Sequence, residues 1–117
     1  MRWRDQAACQ GQYTEDFYPE DWSNNLLLQR ACGDCPVRAS CAIASMPELW
    51  GMWAGMSARR RRDLRRAVGY VPAQLDEDVE RFDRAADRVA LGADPVEELA
   101  GQVGRKAAKA WIADALR

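Results

Sequence analysis

Four cysteines and no histidine constrain this chain more than any other feature. They are Cys9, Cys32, Cys35 and Cys41, in the spacing C-x22-C-x2-C-x5-C. A chain of 117 residues buries only a modest core, so a cross-link or bound metal weighs heavily in its stability. The opening Met1-Arg2-Trp3-Arg4-Asp5 lacks the apolar run of a secretory signal, and no segment approaches membrane-spanning length. These features predict a cytoplasmic protein without membrane association. In that compartment, cysteines at metal-like spacing are more often ligands than structural disulfides.

Two thiolates separated by two residues can turn onto one metal centre. Cys41 falls in the second turn of the helix predicted to start at Pro36. Because helical side chains tilt toward the N-terminus, it is aimed back at the Cys35 loop. Cys9 then supplies a long-range fourth thiolate. Both tetrahedral zinc and an iron–sulfur cluster fit this donor set. The missing histidine excludes only mixed sites, and the usual zinc signature of two C-x2-C knuckles is half present.

The rest reads as all-α, a small cluster-centred helical domain with a helical C-terminal appendage. A short helix is expected within residues 1–9, and an aromatic-bearing loop over residues 10–21. Ser23 is placed to cap a helix reaching Ala31. The Pro36 helix should stop before Pro47, and Gly51-Met52-Trp53-Ala54-Gly55 should turn. Ser57 should cap an arginine-rich helix. Beyond a linker at residues 69–73, Val79, Phe82, Ala86 and Val89 form one apolar stripe, with Asp76 as the expected cap. Asp94-Pro95 opens a helix carrying Val96, Leu99, Ala100 and Val103, and a last helix carries Ala108, Trp111, Ile112 and Ala115. The chain thus divides into residues 1–68 and an extension, 69–117. The last two helices have roughly helix-turn-helix spacing, although the expected apolar turn residue is missing and the segment is net acidic.

The net charge of −1 conceals a concentrated cationic segment: Arg59, Arg60, Arg61, Arg62, Arg65 and Arg66 lie within eight residues that include one acid, Asp63. A solvated helix normally interleaves acids to form i,i+4 pairs. Here self-repulsion is relieved by a polyanion, and all six arginines are read as contacts to DNA phosphates.

Several motifs occur together in a recognisable order. They are Trp3-Arg4-Asp5-Gln6-Ala7-Ala8-Cys9, Asp16-Phe17-Tyr18-Pro19, Cys32-Gly33-Asp34-Cys35-Pro36-Val37-Arg38-Ala39-Ser40-Cys41, and Gly51-Met52-Trp53-Ala54-Gly55 followed by Met56-Ser57 and the arginines. Over residues 2–68 the chain resembles the WhiB-like family of actinobacterial and actinophage regulators. It departs from that pattern in the turn, where Met52 replaces the usual Ile or Val and Ala54 the usual Gly. The resemblance implies one [4Fe-4S] cluster on Cys9, Cys32, Cys35 and Cys41, sensitive to oxygen or nitric oxide. It implies binding to the C-terminal domain of the primary sigma factor within RNA polymerase, through Trp53 flanked by Trp3, Phe17 and Tyr18. Trp22 and Trp50 are expected to shield the core.

The function expected is an iron–sulfur transcriptional regulator, not an enzyme. Two rivals are a disulfide reductase of the metal-free form, suggested by Cys32 and Cys35, and a zinc-stabilised adaptor that binds protein only. The first ordinarily needs a βαβ context, and no strand pattern is present.

Overall fold

A computed structural model describes residues 2–7, 32–72 and 75–117. Among the described residues, a 3₁₀ turn at Trp3–Gln6 is followed by five helices: α1 (Arg38–Ala44), α2 (Ala58–Val68), α3 (Asp76–Ala90), α4 (Pro95–Val103) and α5 (Arg105–Ala115). Among the described residues there is no strand, only an isolated bridge between Trp53 and Met56, so the fold is all-α. None of these helices is long and apolar enough to cross a membrane. The aromatic loop of residues 10–21 and the helix expected after Ser23 lie outside the described residues.

Local chemistry accounts for most of the helix ends. Ser57 Oγ accepts the Arg60 N–H at 3.1 Å, and the Asp94 carboxylate accepts the Glu97 N–H at 2.9 Å, with Pro95 opening α4. Two starts differ from expectation. Pro36 and Val37 close a turn, so α1 begins at Arg38, with Val37 as its cap. Asp76 is the first residue of α3 and Leu75 is the cap; Asp76, Glu77 and Asp78 instead place three carboxylates at the positive end of the helix.

One core joins both parts of the chain. Ala42, Ile43 and Met46 from the α1 region pack with Phe82 and Ala85 of α3, Leu99 of α4, and Ala108, Trp111, Ile112 and Ala115 of α5. The stripes read from helical periodicity supply most of these contacts; in α3, however, Ala85 joins Phe82 in this core, Ala86 packs in a second cluster with Trp3, and Val79 lies in neither. Small side chains where α1 meets α3 let Ser40 Oγ donate to the Ala86 carbonyl at 2.7 Å. Trp111, fully buried, donates from Nε1 to the Ala42 carbonyl at 2.8 Å, one of the acceptors that the end of α1 leaves without a helical partner. Gly104 alone connects α4 to α5, whereas a helix-turn-helix uses a turn of about three to four residues. The faces of α4 and α5 that meet are committed to the core.

The N-terminal turn is tied to α3 by polar contacts. Trp3 donates its main-chain N–H to Asp87 at 2.7 Å and its indole N–H to Asp83 at 2.8 Å, while Arg2 pairs with Asp83. The segment that leads to Cys9 is thus anchored on the far half of the chain.

Candidate functional site

Cys32 and Cys35 flank a tight loop closed by the Cys35 N–H donating to the Cys32 carbonyl at 3.2 Å. Cys41 sits in α1, its N–H bonded to the Val37 carbonyl at 2.9 Å. All three cysteines are half-buried. Cys35 and Cys41 border a small apolar cluster of Trp3, Val37, Ala44 and Ala86, which Trp53 also borders. Among the described residues no three Cys, His, Asp or Glu side chains converge as a metal site, and Cys9, the expected fourth ligand, lies outside them. The donor chemistry nevertheless fits a thiolate-held centre. The chain offers soft sulfur ligands without imidazole, two of them against apolar side chains that limit water.

The tryptophan turn lies directly over this loop. A methyl group added at Gly55 would meet Cys32 Cβ at 3.6 Å and an Arg38 guanidinium nitrogen at 3.7 Å. Trp53 and Met56 exchange hydrogen bonds, N–H to carbonyl, at 3.1 and 2.8 Å. The two residues between them both have positive φ, 53° at Ala54 and 78° at Gly55, the geometry of a type I′ turn. Ala54 is thus a non-glycine residue in the left-handed region. Arg38 Nε donates to its carbonyl at 3.3 Å.

Two of the six arginines read as phosphate contacts serve this loop instead. Arg61 is fully buried. Its Nη1 donates to the carbonyls of Gly51 (2.7 Å) and Met56 (3.0 Å), and its Nη2 to those of Trp50 (3.0 Å) and Glu48 (3.2 Å). Arg65 Nη1 donates to the carbonyls of Met46 (3.2 Å) and Glu48 (3.1 Å), and burial holds its pKa below the usual arginine value. The physical cause is the irregular path of residues 46–56. The carbonyls of Met46, Glu48, Trp50 and Gly51 lack a helix or sheet partner there, and a buried carbonyl must find a donor. Arg60 bonds Asp114 of α5, with Nε at 3.1 Å from the carboxylate and Nη2 at 2.6 Å from the main-chain carbonyl. Arg59, Arg62 and Arg66 are exposed. The outward cationic face of α2 is therefore these three residues, spaced i, i+3, i+7.

The aromatics also divide. Trp3, expected to flank a protein interface, is 3% exposed and presents almost no surface. Trp53 is half-buried, with its ring centroid 6.5 Å from that of Trp3 and its Nε1 donating to the Trp50 carbonyl at 3.0 Å. The Arg4 guanidinium lies over both indoles, 5.1 Å from the centre of Trp3 and 5.4 Å from that of Trp53. Trp50, expected to be shielded, is 70% exposed, because the clamp on its carbonyl fixes the main chain with the side chain outward. Phe17, Tyr18 and Trp22 fall outside the described residues. The cation between the two indoles and the display of Trp50 were missed, since neither follows a helical period.

A cysteine loop lying beneath a tryptophan turn, with an arginine helix clamped to that turn, defines a small all-helical class. Residues 3–64 match the family described as "Transcription factor WhiB", and the chain belongs to that family. It is similar to "Transcriptional regulator WhiB2" of Mycobacterium tuberculosis, 33% identical over 69 residues, covering 57% of this chain and 78% of that protein. "Transcriptional regulator WhiB" of Streptomyces coelicolor is 35% identical over 71 residues, 58% of this chain and 80% of that protein. "Transcriptional regulator WhiB2" of Mycolicibacterium smegmatis is 33% identical over 69 residues, and there the match spans only about half of the relative's length, 54%. No solved structure matches the chain.

Proposed function

We propose that the chain is a cytoplasmic transcriptional regulator, without catalytic activity of its own, that holds a [4Fe-4S] cluster and joins the primary sigma factor to promoter DNA. The observation that carries this reading is the close approach of the turn to the cysteine loop, Gly55 beside Cys32 and Arg38, in a protein of the WhiB family. Cys9, Cys32, Cys35 and Cys41 would be the ligands. When bound, an iron–sulfur cluster supplies a redox-labile cross-link that oxygen or nitric oxide can remove.

This chain's residues then have separable tasks. The cysteines draw the N-terminal segment, the Cys32 loop and α1 together. Arg38 and Arg61 hold carbonyls of the turn and Arg65 those of the chain leading into it, so that Trp53 is oriented before it meets the C-terminal domain of sigma. An anchor fixed in advance loses less freedom on binding, which is where affinity is gained. The phosphate contacts fall to Arg59, Arg62 and Arg66, which face outward.

Anaerobic purification followed by absorption spectroscopy tests the centre. A brown protein with four irons is expected, and Cys9→Ala or Cys35→Ala should lose both colour and iron, because ligation is coupled to folding. A colourless protein containing zinc would replace this reading with that of a zinc-stabilised adaptor.

A further inference from the structure

We infer that Trp50 is a stacking residue for an unpaired nucleic-acid base, displayed beside the outward arginines of α2; this rests on the reading of Arg59, Arg62 and Arg66 as phosphate contacts. An indole that is 70% exposed is unusual in so small a fold, because tryptophan carries a large apolar area that burial would stabilise. Nor is the position loosely held. The Trp50 carbonyl accepts from Arg61 Nη2 at 3.0 Å and from Trp53 Nε1 at 3.0 Å, and the next carbonyl, of Gly51, accepts from Arg61 Nη1 at 2.7 Å. The main chain is fixed at and beyond Trp50 while the ring is left in solvent. Exposed large apolar side chains elsewhere among the described residues, Val71, Leu75, Leu91 and Leu116, are all aliphatic.

The charge beside it selects the ligand. Arg61 and Arg65 mark the side of α2 that faces the loop. At about 100° per residue, Arg62 lies roughly 60° round from Arg65, with Arg66 and Arg59 just beyond. Arg60, paired with Asp114, marks the side that faces α5; Arg59 lines the same cleft as that pair, so Arg62 and Arg66 are the arginines on the loop's side of the stripe. The loop and the cationic stripe therefore adjoin on the open side of the helix. A protein hot spot is ringed by contacts that exclude water; the Trp50 ring instead stands in solvent, on the loop that adjoins the cationic stripe. Arg62 Nε lies 3.6 Å from the exposed Asp63 carboxylate, a pair that a phosphate can displace; a nucleotide then supplies a π face for the indole and a phosphate for the guanidinium, the pairing found in single-strand binding surfaces. In an intact duplex the base faces are covered by stacking, so the ligand is DNA with an unpaired base, as in a single strand or a fork.

The test uses full-length protein purified anaerobically, with binding to a fork oligonucleotide and to the matching intact duplex followed by fluorescence anisotropy. The wild type should prefer the fork. Trp50→Ala should lower fork affinity about tenfold and leave duplex affinity unchanged, and Trp50→Phe should restore most of the loss. Thermal melting of Trp50→Ala should match wild type, since the ring makes little of the core. Equal fork binding by Trp50→Ala and wild type overturns the inference. So does loss of the sigma domain by Trp50→Ala with fork binding intact, which would make Trp50 a protein anchor. The variant Arg59→Ala/Arg62→Ala/Arg66→Ala judges the reading beneath it. Weaker binding to both DNAs with a flatter salt dependence supports phosphate contact, and unchanged binding removes it, whatever Trp50 does.

Discussion

Residues 76–117 and residues 46–66 bury their chain by different means. In the first region, α3, α4 and α5 meet through apolar stripes: Phe82, Leu99, Trp111 and Ile112 interlock, and most polar groups point to water. In the second, an irregular loop is held by guanidinium groups bonded to five main-chain carbonyls, those of Met46, Glu48, Trp50, Gly51 and Met56. Apolar packing is non-directional and tolerates small shifts. A clamp of directional hydrogen bonds around a charged group does not, because each buried carbonyl it loses costs about 1–3 kcal/mol. The helical region is thus built for stability. The loop is built to hold one conformation, which a docking surface requires.

The largest effect should come from Trp111→Ala. It removes the biggest fully buried side chain and the donor to the Ala42 carbonyl, so we expect a loss of about 4 kcal/mol in chemical denaturation. Because α5 packs on α1, the loss should appear in one transition that includes both regions. A variant whose C-terminal helices melt alone, with the cysteine region still folded, would break the idea of a shared core.

Arg61→Ala should cost less, about 3 kcal/mol: of the four carbonyls it serves, those of Glu48, Trp50 and Met56 keep donors from Arg65 and Trp53, and that of Gly51 loses the Arg61 donor. Its signature is what distinguishes the two regions. Amide exchange should accelerate across residues 46–56 while protection in α3 and α5 stays near wild type, and sigma binding should fall although Trp53 is untouched. Arg62→Ala, one residue away but exposed, should change stability by less than about 0.5 kcal/mol. If the two variants behaved alike, the clamp would have no special weight.

The same contrast explains what could be read from the residues alone. The stripes of α3, α4 and α5, the Ser57 and Asp94 caps and the stops at Gly92 and Gly104 follow from side-chain identity and period, so they were legible. The inward turn of Arg61 and Arg65 was not. What recruits them is the need of main-chain carbonyls for donors, and every residue carries the same carbonyl, so no composition signals it. An arginine run therefore read as a uniform polyanion surface, when two of its members are buried and a third pairs with Asp114. Trp50 and Trp3 exchanged their expected places for a similar reason: position in an irregular turn or a 3₁₀ turn has no period to follow. Of the site, the approach of the Trp53 turn to the Cys32 loop was legible only through the order of motifs that also marks the family.

A near cancellation is expected at Ala54, where the family's usual glycine is absent. Its φ of 53° lies in the left-handed region, which costs an ordinary residue about 1–2 kcal/mol. Yet its methyl group is 1% exposed and belongs to the main core cluster, and burying one such carbon contributes about 0.8 kcal/mol. Ala54→Gly therefore relieves strain, loses packing, and also frees the unfolded chain, which opposes the relief by up to about 1 kcal/mol. The three terms nearly cancel, and the denaturation midpoint should move by less than the equivalent of about 1 kcal/mol. Ala54→Val sharpens the point. A β-branched side chain worsens the left-handed strain and overfills a packed site, so a loss of about 3 kcal/mol is expected. A strongly destabilised Ala54→Gly would mean that the methyl matters more than the turn, placing Ala54 with the packed helices. A clearly stabilised one would mean that backbone strain dominates, placing it with the clamped loop.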